Sequence, residues 1–116
     1  MADSAGSATA MFSGVKTRIG MLGLDNRARF NVCDIAAIEL ASVKSMADWA
    51  VEKGMGVGVV TTTRVTHATQ GAMYAQTPHR NWETDSAVPA IPAIHLQHFS
   101  LKYKNSSLEK ERRKPV

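Results

Sequence analysis

Four side chains in this sequence have the types and surroundings that chemistry needs. Ser4 lies in DSAGSATA, directly after Asp3 and before a run of small residues that can enter a helix. A serine at a helix entrance meets unpaired backbone N–H groups and the positive end of the helix dipole, which favour an alkoxide or a phosphate. The plainer role for the same residue is a simple N-cap. Arg80, in PHRNWETD, carries a planar guanidinium suited to two oxygens of a phosphate, although a surface ion pair is the commoner fate of an arginine. His67 and Thr69 follow the β-branched run VGVVTTT in RVTHAT, beyond the end of an expected strand, where open α/β sheets gather their ligands. Two residues apart in an extended segment, they would point the same way and could address one ion or its bound water. An ordinary hydrogen-bonded histidine remains the alternative.

The elements that must position these groups are read from periodicity. Ala8, Met11, Phe12 and Val15 share a helical face, so a helix is expected from Ser4 to about Lys16, capped by Asp3 or Ser4. RIGMLGLDNRARFNVCD is broken by Gly20, Gly23 and Asn26 and reads as loop with at most a short strand. From about Ile35 to Lys53 the stripe Val43, Met46, Ala47 and Ala50 predicts one helix, stopped by Gly54. VGVVTTT, residues 57–63, then predicts a buried strand of a parallel sheet, and residues 68–76 a further short helix. GMGVG at 54–58 imitates a phosphate-binding loop, but it precedes the strand when such a loop should follow one.

The 116 residues, 44% of them hydrophobic, suit one modest core. The net charge of +4 is uneven: residues 1–100 carry eight basic and eight acidic side chains, residues 101–116 six and two. The excess therefore lies in a tail containing KERRK, which admits a localisation signal or an RNA contact as well as a solvated end. Asn105-Ser106-Ser107 is a formal glycosylation acceptor, with meaning only in a secreted protein. One cysteine, Cys33, excludes an intrachain disulfide and a cysteine-based zinc site. The sequence shows no signal-peptide pattern at its start and no apolar run of membrane-spanning length.

In combination, DSAGSATA, GVKTRIGMLGL, VGVVTTTRVTHAT and YAQTPHRNWETD resemble, in that order, the alkaline phosphatases of animals, over residues 3 to about 89. The resemblance implies part of a three-layer α/β/α sandwich with an incomplete sheet. It implies hydrolysis of phosphate monoesters through a phosphoserine intermediate, with Ser4 as nucleophile facing a zinc ion. Asp3 would orient Arg80, whose guanidinium clamps the phosphoryl oxygens. Thr69 would ligate magnesium, with His67 beside that ion. The family also implies zinc and magnesium cofactors, a homodimer, no nucleic acid, and a secreted or lipid-anchored place at the cell surface.

Departures accompany the match. The partner of Cys33 would lie beyond the likeness; Ser13 stands where many members have cysteine, Gln76 replaces a common histidine, and CDIA lacks a sequon often found there. His79, His95 and His98 do not stand where the family's zinc ligands would, and the zinc-binding Asp and His residues have no counterpart. The expectation is therefore a fragment of a catalytic domain over 1–89, inactive or very weak by itself, followed over 90–116 by an unrelated, disordered basic tail. A small basic nucleic-acid-binding protein, or a non-catalytic interaction partner, is the alternative.

Overall fold

The structure is a computed structural model that describes residues 1–88. The expectations for residues 90–116 lie outside it. Helix α1 spans Ser4–Ser13. Asp3, in extended conformation, caps it by accepting the Gly6 N–H at 2.9 Å, so the cap is the aspartate and Ser4 is the first helical residue. The helix ends three residues before the expected Lys16, because Gly14 turns left-handed and returns its N–H to the Ala10 carbonyl. Ala8 faces inward and Phe12 half inward, while Met11 is exposed.

The single helix expected over 35–53 is two. Helix α2, Ile35–Ala41, is capped by Asp34, and helix α3, Met46–Glu52, begins at Ser45. Ser45 and Asp48 form a reciprocal capping box, the Ser45 hydroxyl on the Asp48 N–H and the Asp48 carboxylate on the Ser45 N–H. Between the helices the chain is extended at Ser42, which bridges to Leu24, and Val43 N–H donates to the Gly23 carbonyl at 3.0 Å. Pairing with the loop at 23–24 takes the place of about one turn of helix. The stripe read across Val43, Met46, Ala47 and Ala50 consequently covers no core: none of α3 is buried, and Met46 and Trp49 are exposed.

The strand expected at 57–63 is absent. Val57, Val59 and Val60 are exposed, and no strand occurs among the described residues, only isolated bridges joining Leu22 to Thr77 and Leu24 to Ser42. A β-branched run becomes a strand only where a neighbour takes its N–H and C=O groups, and none lies beside this one. Helix α4 is Ala68–Gly71, shorter than the expected 68–76 because the chain passes into turns that lead Thr77 to Leu22. A 3-10 turn, Asp85–Ala87, completes the described elements.

Two small cores result. Ala5 and Ala8 of α1, Leu22, and Ala68 and Ala72 around α4 form one; Met21, Leu24, Ala28, Ile38 and Ala41 form the other. The alternation of Met21, Leu22 and Leu24 between them makes the loop 21–24 the shared wall. Thr9, fully buried, ties that loop to α1: its hydroxyl donates to the Ala5 carbonyl at 2.9 Å and accepts the Gly23 N–H at 3.1 Å. Thr9→Val keeps the shape but strands that N–H. It is expected to lower stability by about 1–3 kcal/mol, read as a lower Tm in thermal unfolding followed by circular dichroism; an unchanged Tm would contradict the assigned hydrogen bond.

Candidate functional site

Asp3 is the centre of the site. One carboxylate oxygen, Oδ1, caps α1; the other, Oδ2, accepts the Gly20 N–H at 2.9 Å and lies 3.3 Å from Nη1 of Arg80. Gly20 closes the ring from its other side, since its carbonyl accepts the Arg80 N–H at 2.7 Å. Arg80 is thus held twice, at its backbone by Gly20 and at its guanidinium by Asp3. Partial burial would raise the Asp3 pKa, but the Gly6 N–H, the Arg80 guanidinium and the Gly20 N–H together outweigh it and hold the carboxyl below its ordinary value. The carboxylate therefore stays ionised at neutral pH.

Ser4 follows Asp3 at the first position of α1, half-buried. Because Asp3 takes the capping role with a single oxygen, the Ser4 hydroxyl is not needed as the cap. The structure thus places Ser4 at the start of a helix next to Asp3, which anchors Arg80 and already takes the Gly6 and Ser7 N–H groups, leaving the earlier N–H groups of the turn for an anion. An arrangement of that kind can hold a tetrahedral anion and present an oxygen nucleophile to it.

His67 and Thr69 are not two residues of one extended segment. His67 is the extended N-cap of α4 and Thr69 lies within that helix, exposed, so the expectation that both point one way does not hold. Their helix nevertheless packs on α1 through the cluster of Ala5, Ala8, Leu22, Ala68 and Ala72. The turn before His67 is fastened to the segment after Arg80: Glu83 accepts from Arg64 Nε at 3.1 Å and from Thr66 Oγ1 at 3.0 Å. The Arg64 guanidinium, helped by the Thr66 hydroxyl, keeps the Glu83 carboxyl below its usual range. Gln70, buried, donates to Thr63 Oγ1 at 2.8 Å and also to the Arg64 carbonyl, closing the same turn.

Two participants escaped the sequence reading. Gly20 acts through its backbone alone, and its only sequence signal is a glycine in a loop. Glu83 stands three residues after Arg80, where a charge reads as solvent-facing. Cys33 is a free, half-buried thiol whose pKa is pushed up by burial and by the neighbouring Asp34 charge, which makes it a poor nucleophile.

The comparisons agree with one another. The family model described as alkaline phosphatase matches residues 1–110, and the chain belongs to the alkaline phosphatase family. It is similar to alkaline phosphatase 4 of Drosophila melanogaster, at 48% identity over 89 residues, which is 76% of this chain and 14% of that protein. It is also similar to the membrane-bound alkaline phosphatase of Bombyx mori, at 41% identity over 86 residues, 74% of this chain and 16% of that protein. Among solved structures, the alkaline phosphatase of the Antarctic bacterium TAB5 superposes with a TM-score of 0.58 at 32% identity, covering 71% of this chain and 20% of that one. A variant of the TAB5 enzyme, solved with magnesium bound, superposes with the same TM-score at 30% identity, over the same shares of the two chains. The fold is accordingly alkaline phosphatase-like, and the match spans 14–16% of the length of these curated relatives.

Proposed function

We propose that this chain supplies the phosphoryl-handling part of a phosphomonoester hydrolase that works through a phosphoserine intermediate. The observation that carries the reading is the Asp3 carboxylate, bound at once to Gly20 N–H and Arg80 Nη1, immediately before a serine at a helix N-terminus. In the proposed step, Ser4 Oγ gives its proton to solvent and attacks the phosphorus in line, the P–O bond to the ester oxygen breaks on the opposite side, and the departing alkoxide takes a proton from water to leave as the alcohol. Arg80 offsets charge on the equatorial oxygens, and Asp3 holds Arg80 in place. Water then attacks the phosphoseryl group and frees inorganic phosphate and Ser4. These contacts grip the phosphate and leave the alcohol free, which fits a broad range of monoesters.

Family membership adds zinc and magnesium. The residues described do not by themselves make such a site: no group of three His, Cys, Asp or Glu among them could hold a metal ion, and Thr69 is a single exposed hydroxyl. The chemistry proposed for this chain is therefore confined to Ser4, Asp3 and Arg80, with Thr69 and His67 as contributors to a magnesium site completed by groups other than these residues. A three-layer sandwich would likewise need strands beside Val57–Thr63. A place at the cell surface is supported by the membrane-bound Bombyx mori relative; no helix among the described residues is long and apolar enough to cross a membrane. A homodimer belongs to the same family expectation.

The test uses the purified chain, labelled with nitrogen-15 and titrated with inorganic phosphate. Phosphate is expected to move the amides of Ser4–Gly6 and Arg80, and Arg80→Ala to weaken that response about tenfold, the scale of one charge-assisted hydrogen bond. Turnover of a generic monoester with added zinc and magnesium is expected to be very low and absent in Ser4→Ala. Failure of phosphate to perturb those amides would overturn the reading.

A further inference from the structure

Beside Arg80 lies an aromatic column that no step above uses. The His79 ring is stacked between Phe30, with centroids 4.8 Å apart and planes 29° apart, and Trp82, at 5.6 Å and 17°. The His79 Nδ1 accepts the Asn81 N–H at 3.0 Å, so in the neutral ring Nε2 carries the proton. The backbone around it is equally engaged. Thr77 Oγ1 donates to the His79 carbonyl at 3.1 Å, and Trp82 N–H donates to that carbonyl, also at 3.1 Å. Phe30 also packs against the far side of the site: a Cβ on Gly20 would fall 2.4 Å from its ring. The column therefore runs from the Gly20 turn, which binds both Asp3 and Arg80, to the turn that carries Arg80.

We infer that His79 is a positioning residue for Arg80. Its ring, clamped between Phe30 and Trp82, and its Nδ1, bonded to the Asn81 N–H, fix the turn 79–82 against Gly20, and so fix the angle from which the guanidinium meets Asp3 and an incoming phosphate. Two independent holds converge on one residue here, and both act on the backbone that flanks Arg80. The ring stacks on Phe30 and Trp82 and its Nδ1 is engaged with the Asn81 N–H, so the role assigned to it is to hold the turn. The inference rests on the reading that Arg80 receives the phosphoryl group, and it concerns how that arginine is aimed.

The test compares three variants of the full chain. His79→Ala removes both holds, His79→Phe keeps the stack, and His79→Asn keeps an acceptor near the place of Nδ1. Amide hydrogen exchange reads the aim directly. In His79→Ala the Arg80 N–H, bonded to the Gly20 carbonyl, is expected to exchange about tenfold faster, while the Gly23 N–H, bonded to Thr9, keeps its rate, since local opening need not involve the rest of the fold. His79→Phe and His79→Asn should each restore part of the protection. Phosphate affinity, read from the Ser4–Gly6 amides, should fall about fivefold in His79→Ala, with partial recovery in the other two. Arg80 exchange that is unchanged, or that rises only together with Gly23 exchange, overturns the inference. Phosphate affinity unchanged in His79→Ala while Arg80→Ala weakens it overturns it too. If Arg80→Ala leaves phosphate binding intact, it is the functional reading that fails, and the exchange rates still decide the positioning role.

Discussion

Gly23→Ala is expected to destabilise the protein severely. Gly23 has φ +61, a conformation L residues with a side chain rarely adopt, and a Cβ there would lie 2.2 Å from the Ala75 carbonyl oxygen. Neither backbone can move aside cheaply. Leu22 and Thr77 exchange two N–H···O bonds, each 2.9 Å, immediately beside the contact, and Ala75 N–H is bonded to the Gly71 carbonyl at 2.8 Å. Gly23 itself donates to Thr9 and accepts from Val43, so a shift of its backbone breaks the ties to α1 and to the α2–α3 connection together. The loss is expected to exceed about 3 kcal/mol, a large share of the 5–15 kcal/mol that stabilises an ordinary domain. Urea unfolding followed by circular dichroism measures it. Gly58→Ala is the control, because its Cβ would meet nothing within 4 Å, and its midpoint should equal the parent's. A Gly23→Ala midpoint equal to that of the control would show that the 21–24 loop does not organise the two cores.

Asp3→Ala is expected to cost about 2–3 kcal/mol, because it removes a helix cap and an acceptor of charge-assisted hydrogen bonds in one change. It leaves the Gly6 and Gly20 N–H groups without their acceptor and Arg80 without its anchor. Its pH dependence separates charge from shape. The folded carboxyl has a pKa below its ordinary value, so the folded state favours the ionised form. Stability from this source is complete above about pH 4 and is lost as the pH falls through the lowered folded value, where carboxylates in both states are protonated. Asp3→Asn retains an amide oxygen for the cap but has no charge to lose. The stability difference between parent and Asp3→Asn, from denaturant unfolding at several pH values from neutrality into acid, should therefore shrink on acidification. A difference that stays constant down to the lowest pH would mean that the charge of Asp3 contributes nothing to the fold.

The parts of this molecule that sequence determined by itself are those whose physics is contained within three or four residues. Asp3 reaches the Gly6 N–H, so the start of α1 could be read directly, whereas Gly14, turning left-handed, ends it three residues before the expected Lys16. Ser45 and Asp48 carry the same kind of local message, a capping box, which the longer hydrophobic stripe obscured. The wording of DSAGSATA, THAT and PHRNW was likewise sufficient to bring the chain to the alkaline phosphatase family, which the family model matches over residues 1–110.

Only the tertiary structure decided the rest, because it depends on groups far apart in the chain. Asp3 and Arg80, 77 residues apart, meet through the backbone of Gly20, and no spacing announces a glycine that serves by its N–H and C=O alone. The helix expected over 35–53 breaks where Ser42 and Val43 find partners in Leu24 and Gly23, bonds that propensity cannot anticipate. Val57–Val60 have the composition of a strand and no neighbour to pair with, and a strand is defined by its neighbour. His79, which reads as an isolated histidine, acquires its role from Phe30, 49 positions earlier in the chain. Local hydrogen bonds and backbone preferences are written in adjacent residues; the aim of an arginine is set by what the folded chain carries to its side.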